Sequence, residues 1–300
     1  MLPHRLTLPQ LLSEQKSSMV HFAAIYDEIT LKCAEISGFK ALAYQSFRHT
    51  MPQQATGGGS MINNPQTIVH EMEKLCPQTE LPILCLDDPG LQGHDLELFI
   101  GRMENIGVSG CTLFDQHPWL SHARNSYILG EYEMLDRVKR VLDKRQQATL
   151  VVAGTHIGNQ QIGSMEQKIE RLQLLAETGV DMILVQSPQS VEELRLFASQ
   201  IPLSCLVLMP SIPQSFSYNF RILQQIGYAA VCCINTPFLH MVQILQETYE
   251  TLYNHEIPLI TGDAIDMSQD IVDSLTRIPG NQGRASARQQ WIENMLKKKL

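Results

Sequence analysis

The chain has 300 residues, of which 44% are hydrophobic and 18% are charged, and its formal net charge is −8. This composition supplies a large core and is not that of a disordered chain, and the acidic balance argues against a general nucleic-acid-binding protein. The seven cysteines lack CxxC spacing, and no apolar run approaches the roughly 20 residues that span a bilayer. Since the N-terminus shows no secretory-signal pattern either, we expect a cytoplasmic protein without a membrane or nucleic-acid partner.

Eight short apolar runs predict eight β-strands. They are HFAAIY (21–26), ALAY (41–44), ILCL (83–86), GCTLF (110–114), TLVVA (149–153), MILVQ (182–186), LSCLVLM (203–209) and AAVCCI (229–234). Each run is almost continuously apolar, as strands buried on both faces are. Helix-like stretches separate them, such as residues 190–200 with Val191, Leu194 and Phe197 on one face. The count and length predict an α/β fold of the (β/α)₈ TIM-barrel type, with a doubly wound open sheet as the alternative.

Four of the junctions between a helical stretch and the next strand carry a lone glycine: Gly38, Gly107, Gly179 and Gly227. A helix commonly ends with a residue of positive φ, which glycine adopts without a Cβ clash. We therefore expect each of these glycines to end a helix just before a strand, which is the repeating half of a βαβ unit.

The chain continues past the eighth predicted unit. Residues 266–278 and 285–300 predict two further helices, separated by Pro279 and Gly280. We expect one barrel domain over residues 1–300, with 263–300 as a helical extension of the same domain. The apolar stripe of the last helix indicates packing on the barrel or on a neighbouring subunit; it consists of Trp291, Ile292, Met295 and Leu296.

Polar residues follow directly on several predicted strands: Ser46, Asp87, Asp88, Asp115, His156 and Asn235. In a barrel the carboxyl ends of all strands meet at one mouth, so we expect these residues to form the functional site. Carboxylates there suit a magnesium ion held partly through water, and a histidine transfers protons near neutral pH. No strand end carries a lysine, which disfavours the Schiff-base chemistry of a class I aldolase.

The order of these strand ends resembles that of the phosphoenolpyruvate mutase/isocitrate lyase superfamily. The resemblance covers roughly residues 18–254 and rests on the segments AIYDEITLKCAEISGFKALAYQS, TGVDMILVQS, LVLMPS and VCCINTPFLH. The last two segments are nearest the mutase branch. The resemblance implies a (β/α)₈ barrel whose C-terminal helix is swapped between the subunits of a homo-oligomer, a tetramer or a dimer.

The resemblance also implies a lyase or mutase that makes or breaks a C–C or P–C bond next to a small 2-oxo carboxylate. In such chemistry a magnesium ion stabilises an enolate. The implied metal ligands are Asp87, Asp88 and Asp115. Ser46 and Asn235 match the superfamily's serine and asparagine, and we expect them to bind the substrate together with Phe47 and Arg48, since an arginine fits a carboxylate. The expected catalytic residues are Asp115 and the histidines His122 and His156, which stand where the superfamily has other residues and can transfer protons near neutral pH.

The chain departs from the superfamily's pattern at Leu86, Phe114, Gly154 and His156, and residues 117–124 hold no counterpart of the lyases' K-x-C-G-H loop. Leu86 replaces the first acid of the D-x-D-T-G-Y-G metal motif, Phe114 replaces one acid of the E-D pair, and Gly154 replaces the arginine of A-R-T-D. Two further hypotheses therefore stay open. One is a metal-independent relative acting on a carboxylated metabolite, with Arg48, Arg124 and the histidines supplying the charge; the other is a non-catalytic binding or assembly member.

Overall fold

The structure is a computed structural model that describes residues 7–14, 18–46, 64–115, 128–145, 149–156, 163–186, 188–209 and 220–254. Eight parallel strands close into a barrel in chain order. They are β1 Val20–Ile25, β2 Ala41–Tyr44, β3 Ile83–Cys85, β4 Gly110–Phe114, β5 Leu150–His156, β6 Met182–Gln186, β7 Cys205–Met209 and β8 Ala230–Cys233. β8 pairs with β1 and every other strand pairs with its neighbours in the chain, so the sheet has no edge strand, whereas an open doubly wound sheet has two. The predicted (β/α)₈ barrel is therefore confirmed.

The described ranges contain nine α-helices and the short 3₁₀ helix Cys76–Gln78. The α-helices are α1 Leu8–Glu14, α2 Glu28–Ile36, α3 Pro65–Leu75, α4 Gly93–Ile106, α5 Glu131–Lys144, α6 Met165–Ala176, α7 Val191–Gln200, α8 Phe220–Ile226 and α9 Thr236–Tyr253. Within these ranges no helix is long and apolar enough to cross a bilayer.

The four glycines at helix-to-strand junctions have positive φ, as predicted. The φ angles are +84° at Gly38, +97° at Gly107, +93° at Gly179 and +109° at Gly227. At Gly107 the backbone N–H donates to the carbonyls of the last turn of α4, which satisfies groups that the helix end leaves open.

The strands alternate between two apolar environments. Leu84 and Leu86 belong to a cluster that fills the barrel interior, whereas Cys85 belongs to the cluster between the sheet and the outer helices. The same alternation places Leu113 outside and Phe114 against the interior cluster. A strand-end residue can therefore face the mouth or the helices, and its register decides which.

Helix α1, which was not predicted from the sequence, closes the end of the barrel at which the strands begin. Its buried Leu8 and Leu11 join the interior cluster beside residues at the starts of the strands. A Cβ atom at Gly110 would lie 2.9 Å from Leu84 Cδ1 and 3.0 Å from Leu8 Cδ1. A side chain at the first position of β4 would therefore crowd Leu84 and the α1 residue Leu8, and both would have to shift.

Helix α9 differs from the other helices in its packing. None of its residues is buried by the part of the chain that the structure describes. Residues 263–300 lie outside the described ranges, so the C-terminal extension, its exchange between subunits and the single-domain boundary stay predictions.

Candidate active site at the barrel mouth

The carboxyl ends of β2, β3 and β4 are tied together by two acids that follow β3. Asp87 Oδ2 accepts a hydrogen bond from the backbone N–H of Ser46 at 2.8 Å, after β2. Asp88 Oδ2 accepts from the backbone N–H of Phe114 at 2.8 Å, at the end of β4. These contacts bring Ser46, Asp87 and Asp88 together at one side of the mouth, with Asp115 following Phe114.

Asp87 is a buried carboxyl with a shifted proton affinity. It is 5% exposed, and burial raises its pKa to about 7. Hydrogen bonds from the side chain and the backbone of Ser46 lower this pKa, and the nearby charge of Asp88 raises it. Burial has the largest effect, and the net shift of this pKa is upward.

Asp88 is held by a buried arginine. Arg137 Nη2 on α5 donates to Asp88 Oδ1 at 2.7 Å, and the backbone N–H of Gly90 donates to the same oxygen at 2.8 Å. The remaining arginine donors reach backbone carbonyls, with Nη1 to Phe114 O at 2.9 Å and Nε to Leu91 O at 3.0 Å. Both oxygens of Asp88 therefore have partners within the protein.

Asp115 is engaged by a second arginine on the outer side of the sheet. Arg171 Nε on α6 donates to Asp115 Oδ2 at 2.6 Å, and Arg171 Nη2 donates to Leu129 O at 2.6 Å. Asp115 is fully buried, which raises its pKa, and the Arg171 cation opposes this rise. The Thr155 hydroxyl, which is also buried, lowers the pKa of Asp115 further.

The positions of the three acids do not fit a single magnesium ion bound by all three carboxylates. Asp88 and Asp115 each form an ion pair with an arginine, and Asp87 accepts a hydrogen bond from the backbone N–H of Ser46. Magnesium requires several oxygen ligands in near-octahedral geometry. The described ranges contain no group of three or more His, Cys, Asp or Glu side chains that could hold a metal. We therefore assign no step of the reaction to a metal.

The inner surface near the mouth is apolar. Leu86 is 4% exposed, and Phe114 packs against the same interior cluster on the neighbouring strand. Tyr26 and Phe238 meet edge to face with ring centroids 5.7 Å apart. The Tyr26 hydroxyl donates to Ile234 O, and burial raises the pKa of Tyr26. Leu86 and Phe114, the two replacements of superfamily acids, thus belong to one apolar layer.

Gly154 is required by its neighbour on β6. It pairs with Leu184 in the sheet, and a Cβ atom at Gly154 would lie 2.4 Å from Leu184 O and 2.6 Å from Leu184 Cβ. No side chain fits here unless β5 and β6 separate. The superfamily's arginine therefore cannot simply be restored at this position.

The other predicted site residues are placed in part. His156 is the last residue of β5 and pairs with Gln186, and Asn235 follows β8 at the start of α9. Asn235 Oδ1 and Gln45 Oε1 are buried and have no partner among the described residues. Phe47, Arg48, His122 and Arg124 lie outside the described residues. The roles assigned to all of these residues stay predictions.

The sequence reading did not assign a site role to either buried arginine, although a helical pattern could have found them. Arg137 lies on the buried face of α5 with Met134, Val138 and Val141, at spacings of three, one and three residues. Arg171 lies next to Leu172 and four residues before Leu175, the two buried residues of α6. An arginine on the apolar face of a helix predicts a buried acid as its partner.

Comparison with known proteins links this chain to one family. The family model of phosphoenolpyruvate phosphomutase matches residues 10–253. The 2-methylisocitrate lyase of Shewanella oneidensis is 27% identical over 157 residues, 51% of this chain and 53% of that lyase. An oxaloacetate decarboxylase of Bradyrhizobium diazoefficiens is 25% identical over 183 residues, 60% of this chain and 62% of the decarboxylase. The chain thus spans about half the length of the lyase that it matches.

Solved structures share the barrel. Oxaloacetate acetylhydrolase in complex with the product oxalate has a TM-score of 0.77 at 17% identity, covering 92% of this chain and 95% of that one. A 2,3-dimethylmalate lyase also has a TM-score of 0.77, at 16% identity, covering 95% and 99%. At such identities the likeness shows the fold alone. The family model, which matches most of the chain, shows that this protein belongs to the phosphoenolpyruvate phosphomutase family.

Proposed function

We propose that this member of the phosphoenolpyruvate phosphomutase family is an enzyme that makes or breaks a C–C or P–C bond next to a small 2-oxo carboxylate. The reaction passes through an enolate at the barrel mouth. Ser46, Phe47, Arg48 and Asn235 bind the substrate, and His122, His156 and Asp115 are the proposed catalytic residues. The curated relatives, a lyase and a decarboxylase by name, support this reaction class.

One observation carries the assignment to the mouth. The side-chain oxygens of Gln45 and Asn235 are buried and unpartnered among the described residues. These residues follow β2 and β8, the two strands that flank β1 in the barrel. A buried amide without a partner is rare in proteins, and a ligand is one of the groups that can satisfy it. The NH₂ group of each amide can donate to a carboxylate or enolate oxygen, and the unpartnered amide oxygen can accept from a hydroxyl or a bound water.

A metal-independent relative is the second candidate. The specific observation that favours it is the pairing of Asp88 with Arg137 and of Asp115 with Arg171. Magnesium bound through Asp87, Asp88 and Asp115 would have to displace or share both arginines. In such a metal-independent enzyme the charge of the enolate would be stabilised by Arg48, Arg124 and the histidines.

Thermal unfolding with oxalate, a mimic of the enolate, separates these candidates. A ligand that binds the folded state raises the unfolding midpoint by an amount set by its concentration and affinity. We expect oxalate to raise the midpoint. A rise that needs added magnesium supports the metal-dependent enzyme, and one that persists in a chelator supports the second candidate. Absence of any rise contradicts both and leaves the non-catalytic hypothesis.

Two matched variants locate the oxalate site. Asn235→Ala removes the amide at the end of β8 and should abolish the oxalate-dependent rise. Asn254→Ala changes an exposed amide that follows α9 and should preserve it. Cleavage of 2-oxo acids is then assayed with the same variants, and turnover that survives Asn235→Ala unchanged argues against this role.

The same proposal includes a homo-oligomer. Eight large apolar side chains of α9 are exposed: Leu239, Met241, Val242, Ile244, Leu245, Tyr249, Leu252 and Tyr253. On the outer face of β1 and β8, a cavity of about 460 Å³ is lined by His21, Ala23, Phe39 and Val231, among others. In an ordinary barrel the helix after the last strand covers that face. Helix α9 of a second copy is the occupant that we propose.

A cytoplasmic location completes this proposal. The seven cysteines, all of which lie in the described ranges, carry reduced thiols and form no disulfide bond. Thiols of this kind are the rule in reducing compartments and the exception in secreted proteins.

A further inference from the structure

We propose that the mouth selects 2-oxo carboxylates that carry an alkyl or aryl substituent, with Phe114 as the specificity-determining residue and Asp88 and Arg137 as its positioning residues. This inference rests on the proposed function, and it names the substrate class of the same site. It follows from three features of the described residues: a fixed Phe114, an apolar inner layer and a glycine that excludes a side chain.

The first feature is a closed set of hydrogen bonds around Phe114. Asp88 Oδ2 accepts from the Phe114 N–H at 2.8 Å, and Arg137 Nη1 donates to the Phe114 carbonyl at 2.9 Å. Arg137 Nη2 closes the triangle by donating to Asp88 Oδ1 at 2.7 Å. The buried ion pair holds both the N–H and the carbonyl of Phe114. The backbone position from which its ring extends is therefore fixed at the end of β4.

The second feature is the apolar layer that includes the ring. Leu86, which follows the neighbouring strand β3, is buried in the interior cluster that Phe114 packs against. Tyr26 after β1, Ile234 after β8 and Phe238 in the first turn of α9 belong to or pack against the same cluster. The polar group of Tyr26 is satisfied because its hydroxyl donates to Ile234 O. Its contribution to the layer is therefore the apolar ring.

The third feature is the lack of room for a charged side chain at Gly154. A Cβ atom there would overlap Leu184 O. No arginine can therefore extend from this point of β5 to pair with a second carboxylate of the substrate. Leu86 and Phe114 likewise offer hydrocarbon and no charge to this part of the mouth.

These features together predict the direction of selectivity. A second carboxylate placed against Leu86 and Phe114 would lose its hydration without gaining a partner, which disfavours oxaloacetate-like substrates. A hydrocarbon substituent there gains about fourfold in affinity for each buried CH₂ group. The amides of Gln45 and Asn235 remain to recognise the carboxylate end.

The test measures dissociation constants for four 2-oxo acids that differ only in their substituent. The probes are pyruvate, 3-methyl-2-oxobutanoate, phenylpyruvate and oxaloacetate, and oxalate is the reference. We expect one of the two larger apolar acids to bind at least about tenfold more tightly than pyruvate, and oxaloacetate to bind no more tightly than pyruvate. Tighter binding of oxaloacetate than of both apolar acids would overturn the inference.

Variants assign the selectivity to Phe114. Phe114→Ala should remove the preference for the larger acids while it retains oxalate binding, and Phe114→Leu should retain part of the preference. Phe220→Ala is the matched control, because Phe220 lies on the outer face of the barrel against His21. Asp88→Asn should weaken the preference for the larger acids; because it leaves the Arg137 cation without its carboxylate, its thermal unfolding is measured alongside to show that the protein tested is folded.

Two negative outcomes are distinguishable. Oxalate binding with an unchanged substituent preference in Phe114→Ala contradicts this inference and leaves the proposed function in place. Absence of binding for oxalate and for all four 2-oxo acids contradicts the proposed function itself.

Discussion

Arg137 Nη2 lies 2.7 Å from Asp88 Oδ1, and the two side chains are 1% and 5% exposed. The contact joins residues 49 positions apart, one on an outer helix and one after β3. Burial of a charged pair stabilises a fold only while both partners are present, because removal of one leaves the other charge uncompensated. The pair is therefore a point at which single substitutions should have large effects.

Arg137→Met should lower the free energy of unfolding by about 3–5 kcal/mol, because it strands the carboxylate of Asp88 inside the protein. Urea unfolding measures this loss. Adding Asp88→Asn to Arg137→Met should recover part of it, since the buried charge is then gone. Arg102→Met is the control: its ion pair with Glu73 is exposed at 58% and 45%, so a loss below about 1 kcal/mol is expected. Equal losses in the two arginine variants would show that burial of the pair is unimportant.

Gly154→Ala should destabilise the barrel by about 1–3 kcal/mol or more, because the new Cβ overlaps Leu184 O and forces β5 and β6 apart. Gly101→Ala in α4 is the matched control. No atom lies within 4 Å of its added Cβ, and alanine favours a helix interior by about 1 kcal/mol relative to glycine. Thermal unfolding should therefore move in opposite directions in the two variants, and a stabilised Gly154→Ala would refute the close contact.

His21 should make stability depend on pH. It is partly buried on β1 against Phe220, with ring centroids 4.7 Å apart, and burial lowers its pKa from the ordinary value of 6.5. The unfolded chain then binds a proton more readily than the folded one. The stabilisation is therefore complete above pH 6.5 and is lost as the pH falls from there through the folded-state pKa.

The variant His21→Phe keeps an aromatic ring beside Phe220 and removes this titration. Urea unfolding at pH 8 and at pH 5.5 should show a smaller acid-side loss in the variant than in the unaltered protein. The same acid-side loss in both proteins would show that His21 does not contribute.

Charge on α9 should dissociate the oligomer. Val242 and Leu245 are 44% and 45% exposed and lie three residues apart, on one side of the helix. The double variant Val242→Asp/Leu245→Lys should sediment as a monomer, whereas the unaltered protein should sediment as a dimer or tetramer. Gln243→Lys, a polar position on the same helix, should leave the assembly intact. A protein that is monomeric without substitutions would exclude this interface.

Part of the site was predictable, because the rules that govern it are local. Asp87, Asp88 and Asp115 were expected at strand ends, and they do lie at the carboxyl ends of β3 and β4. Their partners were not predicted. Arg137 and Arg171 reach these acids from helices that a sequence pattern can delimit but cannot orient relative to the sheet.

Two structural features were missed for related reasons. Helix α1 has seven residues, too few to be stable alone, and its burial under the barrel supports it. The outward side of Asp115 depends on the register of β4, in which Leu113 faces the helices and Phe114 faces the interior. A shift of one residue in the register of β4 would exchange the sides on which Leu113 and Phe114 lie. A run of five apolar residues has no alternation that would define this register.

The sequence by itself determined the eight apolar runs, the helices between them and the glycines that end four of these helices. Hydrophobic burial and backbone sterics act within a few residues, so these elements are readable without a structure. The tertiary structure alone decided that two acids pair with buried arginines, that Phe114 is held in an apolar layer and that Gly154 excludes a side chain. Those outcomes depend on atoms brought together by barrel closure, where burial strengthens electrostatic contacts and a few tenths of an ångström decide whether a side chain fits.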